Sequence, residues 1–409
     1  MKRFNKYAAL NKLDNKNNNK TKKRTIIVCV VVLIIGILYF SFARFESNSS
    51  FSLISGTIAE SPVPIVEKMI RLAARGVSYL EYDGVTTLGE NGTPDNNLRY
   101  VGSTPNNYIY FNCSTTNISE MNDSTCEKWR IIGLMNNVED ENGISVSRVK
   151  IMRDESLGYY SWDTSDNSIN NGYGINQWGA TDTYDGADLM RELNTDYLGN
   201  ITVGTDSKWY NGSNNSKTRN MPTSTLNENT LNMIATVKWD TGSNVAADGP
   251  DWLPKTMYEY ERSSNIGKDC HSPTYCNDSV DRTTSWVGKI ALIYPSDYFY
   301  ATSGGSTLNK LACLNTMLSE WNNNSSIDGI SDCYANSWIK TNEFTQWTLS
   351  PEADYVMSSM VYSIGVNGLE GSVTADSPLL VRPSVYLESG IVIVAGNGSS
   401  SKPYKLVLK

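Results

Sequence analysis

The sequence has 409 residues, 43 acidic and 35 basic side chains and one histidine, with a formal net charge of −8. Nine of the basic side chains and one acid lie in residues 1–24, so the rest of the chain carries a net charge of about −16. Such a surface repels phosphate backbones, and we expect no nucleic-acid partner. With a single histidine, the sequence offers almost no residues from which a Ser-His-Asp triad or a HExxH zinc site could be built.

An apolar segment follows the basic start of the chain. Residues 25–43 are nineteen positions, sixteen of them apolar and none charged, which is close to the roughly 20 residues that a membrane-spanning helix needs. The basic residues before it favour a cytoplasmic N-terminus. We therefore predict a cytoplasmic tail over 1–24, a signal anchor in the lipid bilayer over 25–43, a linker over 44–60 and an extracellular remainder. Cleavage after Ala43, which ends a small-x-small tripeptide, is the alternative.

An amphipathic helix is predicted over residues 61–76, ahead of a large β-rich domain over 77–409. Ser61 is a candidate cap, prolines follow it, and Gly76 is a typical helix end. Four apolar residues share one face of this helix and are expected to pack on the domain: Val66, Met69, Ile70 and Ala73.

A β-hairpin is predicted in the first half of this domain. The patterns over 128–135 and 144–153 predict two strands, and Asn142-Gly143 between them is a typical hairpin turn. Further strands are predicted over 108–111, 286–294, 355–366, 380–387, 391–394 and 404–408. Helices are predicted over 185–194, 223–236 and 308–321. The predicted fold class is α+β: one large, β-rich ectodomain with a few peripheral helices, preceded by one transmembrane helix.

Six cysteines lie beyond the predicted anchor and fall into three close sequence pairs. An even number of cysteines outside a membrane favours disulfides. Metal ligation is the alternative, but the spacing contains no CxxC. We predict three local disulfides and neither a metal nor a cofactor: Cys113–Cys126, Cys270–Cys276 and Cys313–Cys333.

An aromatic-rich loop over residues 158–180 is the best candidate for a ligand site. Ring faces pack on sugar C–H groups, and neighbouring amides and carboxylates bind hydroxyls. The predicted ligand-binding residues are Tyr160, Trp162, Asp163, Tyr173 and Trp178. The alternative is that Trp162 and Trp178 are core side chains beneath a long loop.

Acidic side chains leave two further interpretations open. Asp182, Asp185 and Asp188 could bind calcium, but they lack the EF-hand spacing, and Asp185 is also a good helix cap. Glycosidases need only two carboxylates, roughly 5–10 Å apart, and the chain has many acids from which to draw such a pair.

Several motifs occur together in one order: LRYVG at 98–102, WRIIG at 129–133, KIMRDE at 150–155, LIYPSDY at 292–298, WTLSP at 347–351 and VRPSVYL at 381–387. As a set they resemble a family of uncharacterised surface domains of low-GC Gram-positive bacteria, over about residues 95–409. Members of that family often follow a membrane anchor or a pilin-like N-terminus. The resemblance implies a fold similar to C-type lectins and formylglycine-generating enzymes. It implies no activity and no catalytic residues.

The sequence therefore predicts a single-pass, membrane-anchored surface protein of a bacterial cell. Its predicted function is non-catalytic binding of an extracellular glycan or protein ligand, in the manner of an adhesin or a lectin. The first alternative is a glycan or cell-wall hydrolase that uses carboxylates. The second alternative is a structural envelope protein.

Overall fold

A computed structural model describes most of the chain beyond residue 60. The described residues are 61–84, 87–89, 92–164, 173–182, 184–199, 207–213, 218–220, 222–242, 244–245, 253–262, 283–317, 321, 330–340, 344–353, 359–365 and 368–409. They all lie in the compact unit Glu60–Lys409. The predicted tail, anchor and linker lie outside the described residues. No helix within the described ranges is long and apolar enough to cross a membrane.

The described residues form eighteen strands. Their bounds are β1 Val63–Pro64, β2 Leu80–Tyr82, β3 Leu98–Tyr100, β4 Tyr108–Phe111, β5 Glu127–Glu139, β6 Ser145–Arg153, β7 Tyr159–Ser161, β8 Val237–Asp240, β9 Asn244–Val245, β10 Ser285–Gly288, β11 Ile290–Ala291, β12 Gln346–Ala353, β13 Met360–Gly365, β14 Gly368–Thr374, β15 Pro378–Leu380, β16 Ser384–Tyr386, β17 Ile391–Ala395 and β18 Tyr404–Leu408.

The helices of the described residues are short. Their bounds are α1 Ile65–Ala74, α2 Asp188–Asn194, α3 Asp196–Gly199, α4 Glu228–Leu231, α5 Pro254–Glu261, α6 Pro295–Tyr300, α7 Lys310–Leu314 and α8 Ile330–Ala335. Strand accounts for 36% and helix for 18% of the structure, which confirms the prediction of a β-rich α+β domain with few helices.

The larger sheet contains ten strands and is built around the predicted hairpin. Strands β5 and β6 pair antiparallel, with Ile131 opposite Ile151, and two register shifts interrupt the ladder. The strand order is β1-β17-β18-β4-β5-β6-β16-β11, and β3 pairs with both β5 and β2. Gly133 of β5 is required where β3 approaches, because a Cβ there would lie 2.5 Å from the carbonyl oxygen of Leu98.

A second sheet has the order β14-β13-β12-β15-β7, and β9 pairs with β12. Strands β8 and β10 form a separate two-stranded ladder. Side chains from both larger sheets belong to one hydrophobic core, for example Trp129 of β5 and Trp347 of β12. The first and last described strands, β1 and β18, lie on either side of β17 in the ten-stranded sheet, and β18 also runs parallel to β4.

The helix predicted over 61–76 is shorter in the structure. It begins at Ile65 because Val63 and Pro64 pair with β17, and Pro64 rather than Ser61 occupies the cap position. Met69 is buried as predicted, but Ile70 is 44% exposed. The buried face therefore runs through Ile65 and Met69.

Three other predicted helices are also shorter. The helix predicted over 223–236 is reduced to α4, because Ile234 forms a bridge with Leu387 and cannot stay in a helix. The helix predicted over 185–194 begins only at Asp188, after the Ala187 cap. The helix predicted over 308–321 is helical only in α7 among its described residues.

The prediction of one continuous strand over 286–294 is wrong. The segment is divided between β10, which pairs with β8, and β11, which pairs with β16. The strand predicted over 404–408 coincides with β18.

Two of the three predicted disulfides are confirmed. The sulfur atoms are 2.08 Å apart in Cys113–Cys126 and 1.95 Å apart in Cys313–Cys333. The third predicted pair, Cys270–Cys276, lies outside the described residues.

Candidate functional site

Most of the predicted ligand-binding aromatic residues lie in the core. Trp162 and Trp178 are 0% and 1% exposed, and their ring centroids are 5.1 Å apart. Tyr160 is also buried, 4.9 Å from the ring of Trp209. Tyr173 is 41% exposed. This arrangement favours the core interpretation of the two tryptophans, because a ring packed on both faces has no surface left for a ligand.

Asp163, the remaining predicted site residue, is buried and connects Ile175 to the start of helix α2. Its carboxylate accepts hydrogen bonds from the backbone N–H groups of Ile175 and Asp188, at 2.6 and 3.2 Å. Burial and the neighbouring Asp188 carboxylate raise the pKa of Asp163 to about 7. Asp188 in turn accepts from the N–H and the hydroxyl of Thr164. Both carboxylates therefore hold the backbone together.

The calcium interpretation of Asp182, Asp185 and Asp188 gains no support from their placement. Asp185 is largely exposed and forms a 3.7 Å ion pair with Arg191, whereas Asp188 is buried and bonded to Thr164. The described part of the chain contains no group of three or more histidine, cysteine or acidic side chains that could hold a metal ion.

Four charged side chains form a buried ion quartet, which consists of Asp83, Arg99, Lys150 and Asp297. Arg99 donates from Nε to Asp83 at 2.7 Å and from Nη1 to Asp297 at 2.8 Å. Lys150 donates from Nζ to Asp297 at 2.6 Å. The two cations and two carboxylates balance each other, as buried charges must.

Aromatic rings surround the amine of the quartet. The Nζ atom of Lys150 lies 4.1 Å from the ring centre of Tyr294, 5.1 Å from that of Trp239 and 5.5 Å from that of Tyr386. Burial lowers the pKa of Lys150 to about 8, although Asp297 opposes the shift. Burial alone would raise the pKa of Asp297, but Lys150 and Arg99 together lower it to about 2.

Sequence reasoning did not identify the quartet. Arg99 and Lys150 each lie in a strand segment whose flanking residues are buried, such as Val149 and Ile151. The available signal was a charged residue between apolar neighbours in a strand, since such a charge, once buried, must meet an opposite one.

An open groove of about 300 Å³ lies beside the Cys113–Cys126 disulfide. Its floor contains the buried side chains of Phe111, Met121 and Leu406. Exposed amide, hydroxyl and apolar groups form its rim: Thr116, Asn229, Asn232 and Leu408. The sequence showed no signal for this groove, because its walls come from three distant segments of the chain.

The groove follows the free end of strand β18. The register of β18 with β4 ends where Lys405 lies opposite Tyr110, yet β18 continues to Leu408. Residues 406–408 line the groove beyond the last registered pair of β18 with β4. On its other side β18 stays paired with β17 as far as Leu408. The end of β18 is therefore an edge on the groove side, within the described part of the chain.

A second, charged cavity of about 260 Å³ adjoins the same disulfide at Cys126. Two of its acidic side chains, Asp123 and Glu127, already have partners. Glu127 accepts hydrogen bonds from Arg153 at 3.1 Å and from the indole of Trp129 at 3.0 Å. Hydrogen bonds from Tyr110 and Lys128 lower the pKa of Asp123. A carboxyl group with a lowered pKa is suited to an ion pair rather than to general acid catalysis.

Comparisons with protein-family models, with curated proteins and with solved structures find no match. The family resemblance over residues 95–409 therefore stays a prediction.

Proposed function

We propose that this chain is a membrane-anchored surface protein that binds an extended segment of an extracellular protein, without catalysis. The predicted anchor, residues 25–43, would hold it in the bilayer. The observation that carries the proposal is the groove along the free end of β18. A strand edge beside an apolar slot is the arrangement by which domains take up an extended peptide as an added strand.

The lining of the groove favours a peptide over a glycan. The rings of Tyr110 and Phe111 are only 9% and 2% exposed, so neither offers a face on which a sugar could pack. The aliphatic surface of Leu406 and Leu408 suits an apolar side chain instead. The amides of Asn229 and Asn232 on the rim can pair with the backbone of a bound segment.

The disulfides support the proposed location outside the cell. Cys113–Cys126 and Cys313–Cys333 form in the structure, and disulfides persist in oxidising, extracellular compartments. The first of them closes the loop that forms one wall of the groove.

A binding screen tests this proposal. The full-length chain, purified in detergent, is applied to a library of extended peptides and to a glycan array. The test variants are Asn229→Ala with Asn232→Ala, and Leu408→Asp. The matched control is Asn142→Ala, which removes an exposed amide from the β5–β6 turn, outside the groove.

We expect selected peptides to bind. Each lost hydrogen bond costs about 0.5–1.5 kcal/mol, so we expect the double variant to bind them roughly tenfold more weakly. Leu408→Asp should weaken binding further, and Asn142→Ala should leave it unchanged. Binding to glycans alone, or peptide binding that ignores both groove variants, would contradict the proposal.

A further inference from the structure

The contact between Lys150 and Asp297 places a primary amine against a carboxyl group in the interior of the protein. Nζ of Lys150 lies 2.6 Å from Oδ2 of Asp297, and both side chains are 1% exposed. The two residues are 147 positions apart, in β6 and at the start of α6. The binding function proposed above does not use this pair.

We propose that Lys150 and Asp297 become joined by an amide bond between Nζ and Cγ. One proton passes from the ammonium to the carboxylate across the existing hydrogen bond, which leaves an amine and a carboxylic acid. The amine lone pair then attacks Cγ, the Nζ–Cγ bond forms and the Cγ–Oδ2 bond breaks. Oδ2 leaves as water with that proton and a second proton from Nζ, so no oxidant, reductant or other reactant is required.

The surroundings of the pair favour this step. Rings of Tyr294, Trp239 and Tyr386 surround the amine and exclude the water that would otherwise solvate it. Burial lowers the pKa of Lys150 to about 8, which brings the uncharged amine within reach near neutral pH.

Arg99 supplies a hydrogen-bond donor to Oδ1, the other carboxyl oxygen of Asp297. Its Nη1 donates to Oδ1 of Asp297 at 2.8 Å. During the attack on Cγ, negative charge develops on Oδ1, and a guanidinium already in contact stabilises it. In the product, Oδ1 becomes the amide oxygen and can keep the same hydrogen bond.

The same cations also slow the reaction. Lys150 and Arg99 hold the pKa of Asp297 at about 2, so the ion pair predominates over the amine and the carboxylic acid. A slow step is sufficient here, because each chain needs to react only once. The product would link β6 to α6 across 147 positions, a connection that an anchored protein can use to resist pulling forces.

Intact-mass measurement of the full-length chain tests this inference. The chain is purified in detergent, incubated at pH 8 and then reduced and unfolded, so that disulfides do not affect the mass. We expect a mass lower than that of the sequence by one water. Proteolysis should then release one branched peptide that contains both Lys150 and Asp297.

Three variants locate the bond. Lys150→Arg keeps the positive charge but cannot form the amide, so its full sequence mass should return. Asp297→Asn should lose ammonia in place of water, because an amide nitrogen then leaves from Cγ. Lys405→Arg, the matched control, changes a lysine that donates to the carbonyl of Ile118 far from the quartet, and should keep the loss of water.

Two results would overturn the inference. One is a wild-type chain that keeps its full sequence mass after prolonged incubation, which would make the pair a permanent ion pair. The other is a water loss that maps to a different peptide. Both readouts come from the wild-type protein, so they decide the question even if Lys150→Arg fails to fold.

Discussion

At the scale of single residues, this protein buries side chains that are usually found at the surface. Arg99 and Lys150 lie in strands among buried neighbours, and each is held by a carboxylate from another element. Removing one partner of such a buried pair typically costs about 3–5 kcal/mol, because the other charge is left without compensation. The burial of single side chains also decides the role of the aromatic-rich loop.

A pair of substitutions separates a core role from a surface role in this loop. Trp162→Ala removes a fully buried ring that donates to the carbonyl of Thr348, and we expect it to lower the free energy of unfolding by ~3–5 kcal/mol. Tyr173→Ala, the matched control on the exposed side, should change it by less than about 0.5 kcal/mol. Denaturant unfolding of both variants measures the difference. Equal, small effects would mean that Trp162 lies outside the core.

At the scale of elements, one carboxylate joins two helices. Glu261 ends α5, is buried, and accepts hydrogen bonds from the N–H and the hydroxyl of Ser296 in the first turn of α6. An acceptor at a helix start satisfies N–H groups that have no partner within the helix. Burial raises the pKa of Glu261 to about 7, although Arg262 opposes the shift.

This shift predicts a pH dependence of stability with a definite sign. The ordinary pKa of Glu261 is 4.5, so between pH 4.5 and about 7 the folded chain keeps a proton that the unfolded chain releases. Stability should therefore be highest below pH 4.5 for this group and fall as the pH rises to 7, on the order of 3 kcal/mol in total. Glu261→Gln should flatten that decline in thermal unfolding measured from pH 5 to 8.

Glu259→Gln is the control on the same helix. Glu259 is partly exposed and pairs with Lys255 at 3.5 Å, so its removal should leave the slope of stability against pH unchanged. Asp163 has a pKa raised to about 7 and contributes in the same direction in every variant. A slope that Glu261→Gln does not alter would show that this carboxyl is ionised in the folded chain.

At the scale of the whole molecule, charge divides the chain into two parts. Residues 1–24 carry nine basic side chains and one acid, whereas the chain after them carries about −16. A basic segment ahead of an apolar one is typical of a cytoplasmic end, and it also attracts the anionic inner leaflet. The proposed anchor would place the acidic remainder on the opposite side of the bilayer, where its charge favours solubility.

Membrane fractionation tests this organisation. The full-length chain should stay with the membranes through a high-salt wash, since an inserted helix does not depend on charge attraction. A chain without residues 1–43 should appear in the soluble fraction. Protease added outside intact cells should digest the domain and spare the tail. Release of the full-length chain by salt, or an N-terminus that begins at Arg44, would contradict a retained anchor.

Elements with local signals were predicted well. The turn at Asn142-Gly143 specifies the β5–β6 hairpin, because Gly143 has a φ of 78° that glycine adopts at little cost. Cys113 and Cys126 pair across a separation of 13 residues. Local signals failed where a distant segment intervened, as at Ile234, whose bridge to Leu387 ends a predicted helix.

The sequence by itself determined the β-rich class, the central hairpin, the last strand and two disulfides, since each depends on residues close together in the chain. The tertiary structure decided the rest. It buried Trp162, brought Lys150 to Asp297 across 147 positions and assembled the groove at the end of β18. The reason is that burial and ion pairing depend on which distant elements pack together, and hydrophobic periodicity specifies that an element has a buried face without specifying its partner.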